Sequence, residues 1–509
     1  MTFKFKTKPY SHQSRILKQK KGAAYYGLTW EQGACKTKVG IDESAILFCE
    51  GKIDVLLITA PKGVHINWIT DEIPKHLSKD VGNPLVYVWD THRYGSTFVA
   101  KKEWEQIIKN KVRFKIVATN YDAFLSKKTC DQILRLLLTH RVYWVADESH
   151  NLGEDAKCSN YINAMSNKAI FRRFMTGTII GNTPFKAYPQ LKFLNASIVP
   201  RTLQLFQHQY GVFRDVTLPP ATTKTGRIYT PKFKQLVHYK NLDNLKKLIA
   251  KHCDRVLKDD VMDLPDKIYQ KRYVELSKEQ KIAYKNLATD YYHELEDGLV
   301  TAEMAMTRLI RFQQTVCGYL KDDAGVLHRL IPPDKNPRLQ AAMDIIREGQ
   351  VKTIIWARFT EDIDQLMILL KEAGIPAVRY DGTVSDAQKL HAKVAFQATK
   401  TGVHTMGLGG YTKNVDVKII PLVFVANQEA GAEGLTLHAA KTVIFYSNLF
   451  KMIKRLQAED RAHRDGLKHN VLYIDLVTKG TVDEGIIKSL RANKEIADFL
   501  NGDKLKEWI

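Results

Sequence analysis

The chain has 509 residues, 44% of them hydrophobic, with 77 Lys and Arg against 55 Asp and Glu, a formal net charge of +22. That length suits roughly three domains and that apolar share suits buried cores, which excludes a disordered or fibrous chain. The charge points to a polyanionic partner, because a basic surface collects phosphate backbones with little regard to sequence. The six cysteines include no C-x-x-C pair and no histidine cluster at zinc spacing, so neither a disulfide framework nor a structural zinc is expected. No apolar run approaches the ~20 residues that span a bilayer, and the basic N-terminus lacks the apolar segment of a secretory signal. A soluble, intracellular protein with no membrane partner is expected.

In chain order, the first stretch of short β-branched runs lies between Lys21 and Lys192. Its strand candidates are Val55–Thr59, Leu85–Val88, Phe114–Ala118 and Val142–Ala146, separated by helical periods. The second stretch, from Asn336 to Phe499, has candidates at Lys352–Trp356, Ala377–Tyr380, Pro421–Val425, Thr442–Tyr446 and Val471–Asp475. Buried strands alternating with helices predict an α/β chain with two parallel sheets in tandem. The texture between them is helical and basic, so the expected division is 1–194, then a mainly helical insertion over 195–335, then 336–509. The Gly- and Lys-rich stretch Lys400–Lys418 reads as a mobile loop.

The first chemical signal is the run Trp30, Glu31, Gln32, Gly33, Ala34, Cys35, Lys36, Thr37, placed where a loop leads into a helix. A phosphate cradle needs inward backbone N–H groups, a lysine for the β/γ-phosphates and a hydroxyl for magnesium. Lys36 and Thr37 provide the last two, and Gly33 the conformational freedom. Cys35 stands where a glycine usually precedes the lysine. The second signal is the strand Val142–Ala146 ending in Asp147 and Glu148. An acid at such a strand end holds magnesium in phosphate-loop ATPases, and its neighbour can polarise the attacking water.

These residues carry a resemblance. Asp147, Glu148, Ser149 and His150 resemble the Asp-Glu-x-His box of superfamily-two helicases. Pro9 to Gln13 resembles the motif that reads adenine through Gln13. Ile58 to Pro61, with Lys62, Trp68 and Glu72, resembles a segment touching the nucleic-acid backbone, and Thr119, Asn120 and Tyr121 resemble the next such motif. Thr176, Gly177 and Thr178 resemble the coupling motif, with Ile179 where proline is usual. Gly431–Leu437, which includes Gly434, and Gln457–Arg464 resemble the fifth and sixth motifs. The spacing of Gln457, Arg461, His463 and Arg464, together with Leu264–Lys267 and Tyr380–Thr383, is similar to the Swi/Snf branch of helicase-like ATPases. The resemblance implies two RecA-like lobes with ATP and magnesium between them, ATP binding by Gly33, Ala34, Cys35, Lys36, Thr37, Gly434 and Gln457, and catalysis by Lys36, Asp147, Glu148, Arg461 and Arg464.

Arg461 and Arg464 lie three apart, which places them on one helix face. A planar guanidinium at a lobe interface neutralises charge on the γ-phosphate in the transition state. The function expected is therefore an ATP-driven translocase or helicase on duplex, forked or branched DNA, with single-stranded DNA kept as an alternative track, serving replication, recombination or repair. Its compact length reads as that of a phage or prokaryotic member. The rivals are a weakly active or inactive nucleic-acid clamp, which Cys35 and Ile179 favour, and an RNA-directed helicase. The sequence names no protein partner.

Overall fold

Long apolar runs with no polar alternation form strands buried on both faces of parallel sheets. The computed structural model shows this twice. It describes residues 3–501 apart from 63, 90–97, 155, 181–182, 218–220, 223–227, 231, 297–301, 323, 409–410, 432–434, 436 and 465–466.

The first sheet is built from β1 (Tyr25–Leu28), β2 (Val55–Ala60), β3 (Leu85–Val88), β4 (Lys115–Asn120), β5 (Val142–Asp147), β6 (Phe171–Met175) and β7 (Cys253–Asp254). Their order is β7-β1-β6-β5-β2-β4-β3, with every pairing parallel. The second sheet comprises β8 (Lys267–Val274), β9 (Thr353–Ala357), β10 (Ala377–Tyr380), β11 (Val423–Asn427), β12 (Thr442–Phe445) and β13 (Val471–Thr478). Its order is β8-β13-β12-β9-β11-β10, again wholly parallel. All the strand candidates of the sequence form, and β1, β6, β7 and β8 are additional.

The stretch 195–335 is not a unit of its own. Its β7 pairs with β1, so it completes the first sheet, while its β8 pairs with β13 and edges the second. The same stretch also holds an antiparallel hairpin of Gly211–Thr217 with Lys232–Tyr239. The stretch Lys400–Lys418 is likewise no loop: Gly402–Leu408 pairs antiparallel with Tyr411–Val417. Val415 and Val417 bury against Val394 and Ala395 of the preceding helix, which gives the hairpin an apolar footing.

Helices α1 (Ser11–Lys20), α2 (Lys36–Cys49), α3 (Leu242–His252), α4 (Met452–Glu459) and α5 (Val482–Asn501) position the site. Leu245 and Ile249 of α3 share one apolar cluster with the first sheet's core and with Met452, Ile486 and Leu490 of the second lobe. The lobes are thus joined by packed apolar surface as well as by the chain. None of the described helices is long and apolar enough to cross a membrane.

Candidate active site

In a parallel sheet every strand ends on the same edge, and loops at the carboxyl ends form the binding crevice. Here β1 leads into the loop Thr29–Cys35, β5 ends at Asp147, and β6 ends beside Thr176. β6 lies between β1 and β5, so the three segments are neighbours. The loop after β1 and the end of β5 line one cavity of about 680 Å³ whose opposite wall is the second lobe, with Lys393, Lys454, Gln457, Arg461 and Arg464.

The loop is held from below. Trp30 is fully buried, its indole N–H donating to the Asp254 carboxylate at 2.6 Å. Gly33 takes φ +84°, and Cys35 caps α2 in the left-handed region, at φ 55° and ψ 44°. A non-glycine residue there costs about 1–2 kcal/mol, so Cys35 adopts the glycine conformation without a glycine's ease. The Lys36 ammonium donates to the carbonyls of Trp30 at 3.0 Å and Glu31 at 3.2 Å. Burial lowers its pKa, against the attraction of Glu148 and Asp147. Thr37 lines the cavity, while Ala34 is buried and its carbonyl pairs with His12 at 3.1 Å.

Asp147 and Glu148 are a tightly coupled pair. Burial and the Glu148 charge raise the Asp147 carboxyl, while the Trp68 indole N–H, donating at 2.7 Å, favours its ionised form. Burial works against ionisation of Glu148 too, but His150, Lys36 and Arg461 outweigh it and hold that carboxyl low. Glu148 sits at φ 47°, a strained conformation of the kind that clusters at functional sites. His150 lies 3.3 Å from the Glu148 carboxylate and 3.3 Å from the Thr176 hydroxyl. Thr176 in turn donates to the Thr178 carbonyl at 2.7 Å. A Cβ on Gly177 would lie 2.8 Å from Gln32 Cγ, so only glycine lets this turn close on the phosphate loop.

The second lobe departs from expectation in its local structure. α4 ends at Glu459, and Arg461 and Arg464 sit in the turn that follows rather than on a helix face. The turn's carbonyls are taken by outside donors: the Leu437 N–H bonds the Arg461 carbonyl at 2.8 Å, and the Lys258 ammonium bonds that of His463. Both arginines nevertheless line the cavity with Lys36. Burial lowers the pKa of Arg464, against Asp460, Glu72 and Glu148, the last two from the opposite lobe. Gln457 lines the same wall, and its Oε1 is buried without a partner among the described residues. Gly434 lies outside the described residues.

Other predicted residues are placed differently. Gln13 is fully buried behind the loop, accepting from the Tyr10 N–H at 2.8 Å and donating to the Cys35 carbonyl at 2.9 Å. It braces the loop and is not among the cavity-lining residues. Pro61, Trp68 and Glu72, read as part of a backbone-contacting segment, line the same cavity, while Lys62 is exposed. Thr119 and Tyr121 are buried, with the Tyr121 hydroxyl donating to the Asp147 carbonyl at 2.7 Å, and Asn120 caps the turn by accepting from Ala123 at 2.9 Å. Lys258 and Lys393 carry no motif signal, and only their fold position brings Lys393 into the cavity wall and Lys258 beside it.

The donor set fits magnesium. The Thr37 hydroxyl and the Asp147 carboxylate are hard oxygens facing one cavity, the chemistry that ion takes when shared with phosphates.

The family model described as the SNF2-related domain matches residues 12–319. Protein CHROMATIN REMODELING 4 of Arabidopsis thaliana is 24% identical over 472 residues, covering 87% of this chain and 19% of that protein. The SWI/SNF-related matrix-associated actin-dependent regulator of chromatin subfamily A containing DEAD/H box 1 of Xenopus tropicalis is 23% identical over 537 residues, covering 93% and 49%. The chain thus spans less than half the length of either relative. The Sulfolobus solfataricus SWI2/SNF2 ATPase core in complex with dsDNA is 20% identical, with 99% of this chain and 95% of that one covered at a TM-score of 0.39. Because the family model takes in more than half of the chain, the protein belongs to the SNF2-related domain family.

Proposed function

We propose that this protein is a DNA-stimulated ATPase that turns nucleotide-driven closure of its two lobes into movement along duplex DNA. The observation that carries the reading is the single cavity lined by Lys36, Thr37, Asp147 and Glu148 from one lobe and by Gln457, Arg461 and Arg464 from the other.

Lys36 and the loop N–H groups bind the phosphates, and the second-lobe arginines neutralise charge that develops on the transferred phosphoryl group. Thr37 and Asp147 would hold magnesium, which would offset the charge of the phosphates. Glu148, held low, stays ionised and orients the attacking water. It serves less as a strong base than as a positioner, which suffices where the transition state is loose. The contact from Glu148 through His150 to Thr176 ties the water-orienting acid to the coupling turn. Closing on ATP and opening after hydrolysis shifts the lobes against each other, and contacts to phosphate rather than bases make the steps sequence-tolerant. The net charge of +22 supplies the track affinity.

Phosphate release measured with no nucleic acid and with duplex, single-stranded or forked DNA or RNA tests this. Duplex DNA is expected to stimulate turnover most. Lys36→Ala is expected to abolish stimulated hydrolysis while DNA binding persists. Turnover surviving in Lys36→Ala contradicts the site, and stimulation by RNA alone contradicts the track.

A further inference from the structure

The chain passes between the two sheets once, over the residues linking Asp254 of β7 to Lys267 of β8. This crossing is not a free tether. Arg255 donates to the Gly177 carbonyl at 3.0 Å and to that of Thr29, and Asp254 accepts from Arg15 at 2.8 Å. Lys258 reaches further. Its N–H donates to the Glu31 carboxylate at 2.9 Å. Its stem passes so close to Gly33 that a Cβ there would lie 2.9 Å from Lys258 Cε. Its ammonium enters the second lobe, bonding Asp460 Oδ1 at 3.2 Å, His463 Nδ1 at 3.3 Å and the His463 carbonyl.

The side chain is 2% exposed and does not line the nucleotide cavity. One anchor, Glu31, also gives its carbonyl to Lys36 at 3.2 Å. The other anchors, Asp460 and His463, alternate along the chain with Arg461 and Arg464. His463 Nε2 lies 2.7 Å from the Pro265 carbonyl, so that nitrogen carries the proton and Nδ1 accepts from the ammonium. One lysine residue therefore links the two, its backbone N–H bonding the phosphate loop and its ammonium the arginine turn.

We propose that Lys258 is a positioning residue for ATP hydrolysis, holding the second-lobe arginine turn against the first-lobe phosphate loop so that Arg461 and Arg464 meet the γ-phosphate. This rests on the ATPase reading above. Misplacing a catalytic group by about 1 Å costs on the order of 10²-fold in rate, whereas binding by the intact loop is spared.

The test is steady-state, DNA-stimulated ATP hydrolysis by the full chain, with wild type and Lys36→Ala measured alongside. Lys258→Met keeps the stem and removes the ammonium, and Asp460 keeps Lys267 at 3.3 Å as a partner. The expected result is a kcat lower by about 30- to 100-fold with the KM for ATP within about threefold. Lys267→Met removes the other cation on Asp460 without touching the loop, and its kcat is expected to fall less than about threefold. In an Arg464→Ala background, Lys258→Met is expected to cost under about tenfold more, less than in the wild type, because only Arg461 remains to be positioned. Lys258→Gln carries the same expectations if the Met variant does not fold.

Wild-type kcat in Lys258→Met, an equal loss in Lys267→Met, or full additivity with Arg464→Ala each overturns the proposal. A wild-type chain that hydrolyses no ATP on any nucleic acid sinks the ATPase reading instead.

Discussion

The indole N–H of Trp68 donates to the Asp147 carboxylate at 2.7 Å, and the carbonyl of the same aspartate accepts from the Tyr121 hydroxyl at 2.7 Å. Trp68 opens a five-residue π-helical turn, Trp68–Glu72, a rare feature that recurs at functional sites. The carboxylate read as the magnesium ligand is thus held by segments following two neighbouring strands, β2 and β4.

Trp68→Phe keeps the ring and deletes the donor. A hydrogen bond to a charged group contributes about 1.5–3 kcal/mol, so the magnesium concentration for half-maximal turnover is expected to rise roughly tenfold or more. A magnesium titration at saturating ATP and DNA measures it. An unchanged requirement means that Asp147 does not hold the ion.

Cys35→Gly is expected to stabilise the first lobe by about 1 kcal/mol, because the left-handed conformation costs glycine nothing. ATP turnover is expected to hold or rise. Cys35→Ala, which keeps the strain and loses the thiol, separates the two effects in thermal melts. Loss of both stability and turnover in the glycine variant shows that the thiol itself is needed.

Arg464→Lys keeps a cation and loses the planar fork. Turnover is expected to fall about 10²- to 10³-fold, and with Arg464→Ala about 10³-fold or more, the lower end of what an arginine finger contributes, with KM for ATP changed less than about threefold. Single-turnover hydrolysis on DNA reads this directly. Near-normal turnover in the lysine variant places the arginine outside the chemistry.

Asp362 is 1% exposed in the second lobe, and burial pushes its carboxyl up to about 7, with the Ser447 hydroxyl bonding it at 3.0 Å. A folded-state pKa above the unfolded value gives stability that is fully present below about 4 and lost as pH rises to about 7. Asp362→Asn, which cannot ionise and still accepts from Ser447, is expected to flatten that loss. The melting midpoint of the second lobe, followed from pH 5 to 8, is expected to fall in wild type and stay level in the variant. Parallel curves for the two proteins count against the assignment.

Both sheets were legible because their strands are contiguous apolar runs, as in Val142–Asp147, buried at every position. The loop Gly33–Thr37 and the pair Asp147 and Glu148 could be singled out because each is a run of a few neighbouring residues, and the fold brings both to one cavity. Gln13 shows where that fails. Its type and place suggested a base reader, yet both ends of its amide are consumed by backbone at Tyr10 and Cys35. The spacing of Arg461 and Arg464 suggested a helix face, but outside donors claim the turn's carbonyls, a competition invisible along the chain.

What the sequence determined by itself is the set of reactive groups and the strands that end beside them, because periodicity and short motifs are local. Which groups share a cavity, and which lysine links the two lobes beside it, was decided only by tertiary structure. Lys258 and Asp460 lie 202 positions apart and meet at 3.2 Å. Their meeting depends on where the chain passes between two sheets and on the apolar packing that seats one lobe on the other, and no local pattern encodes either.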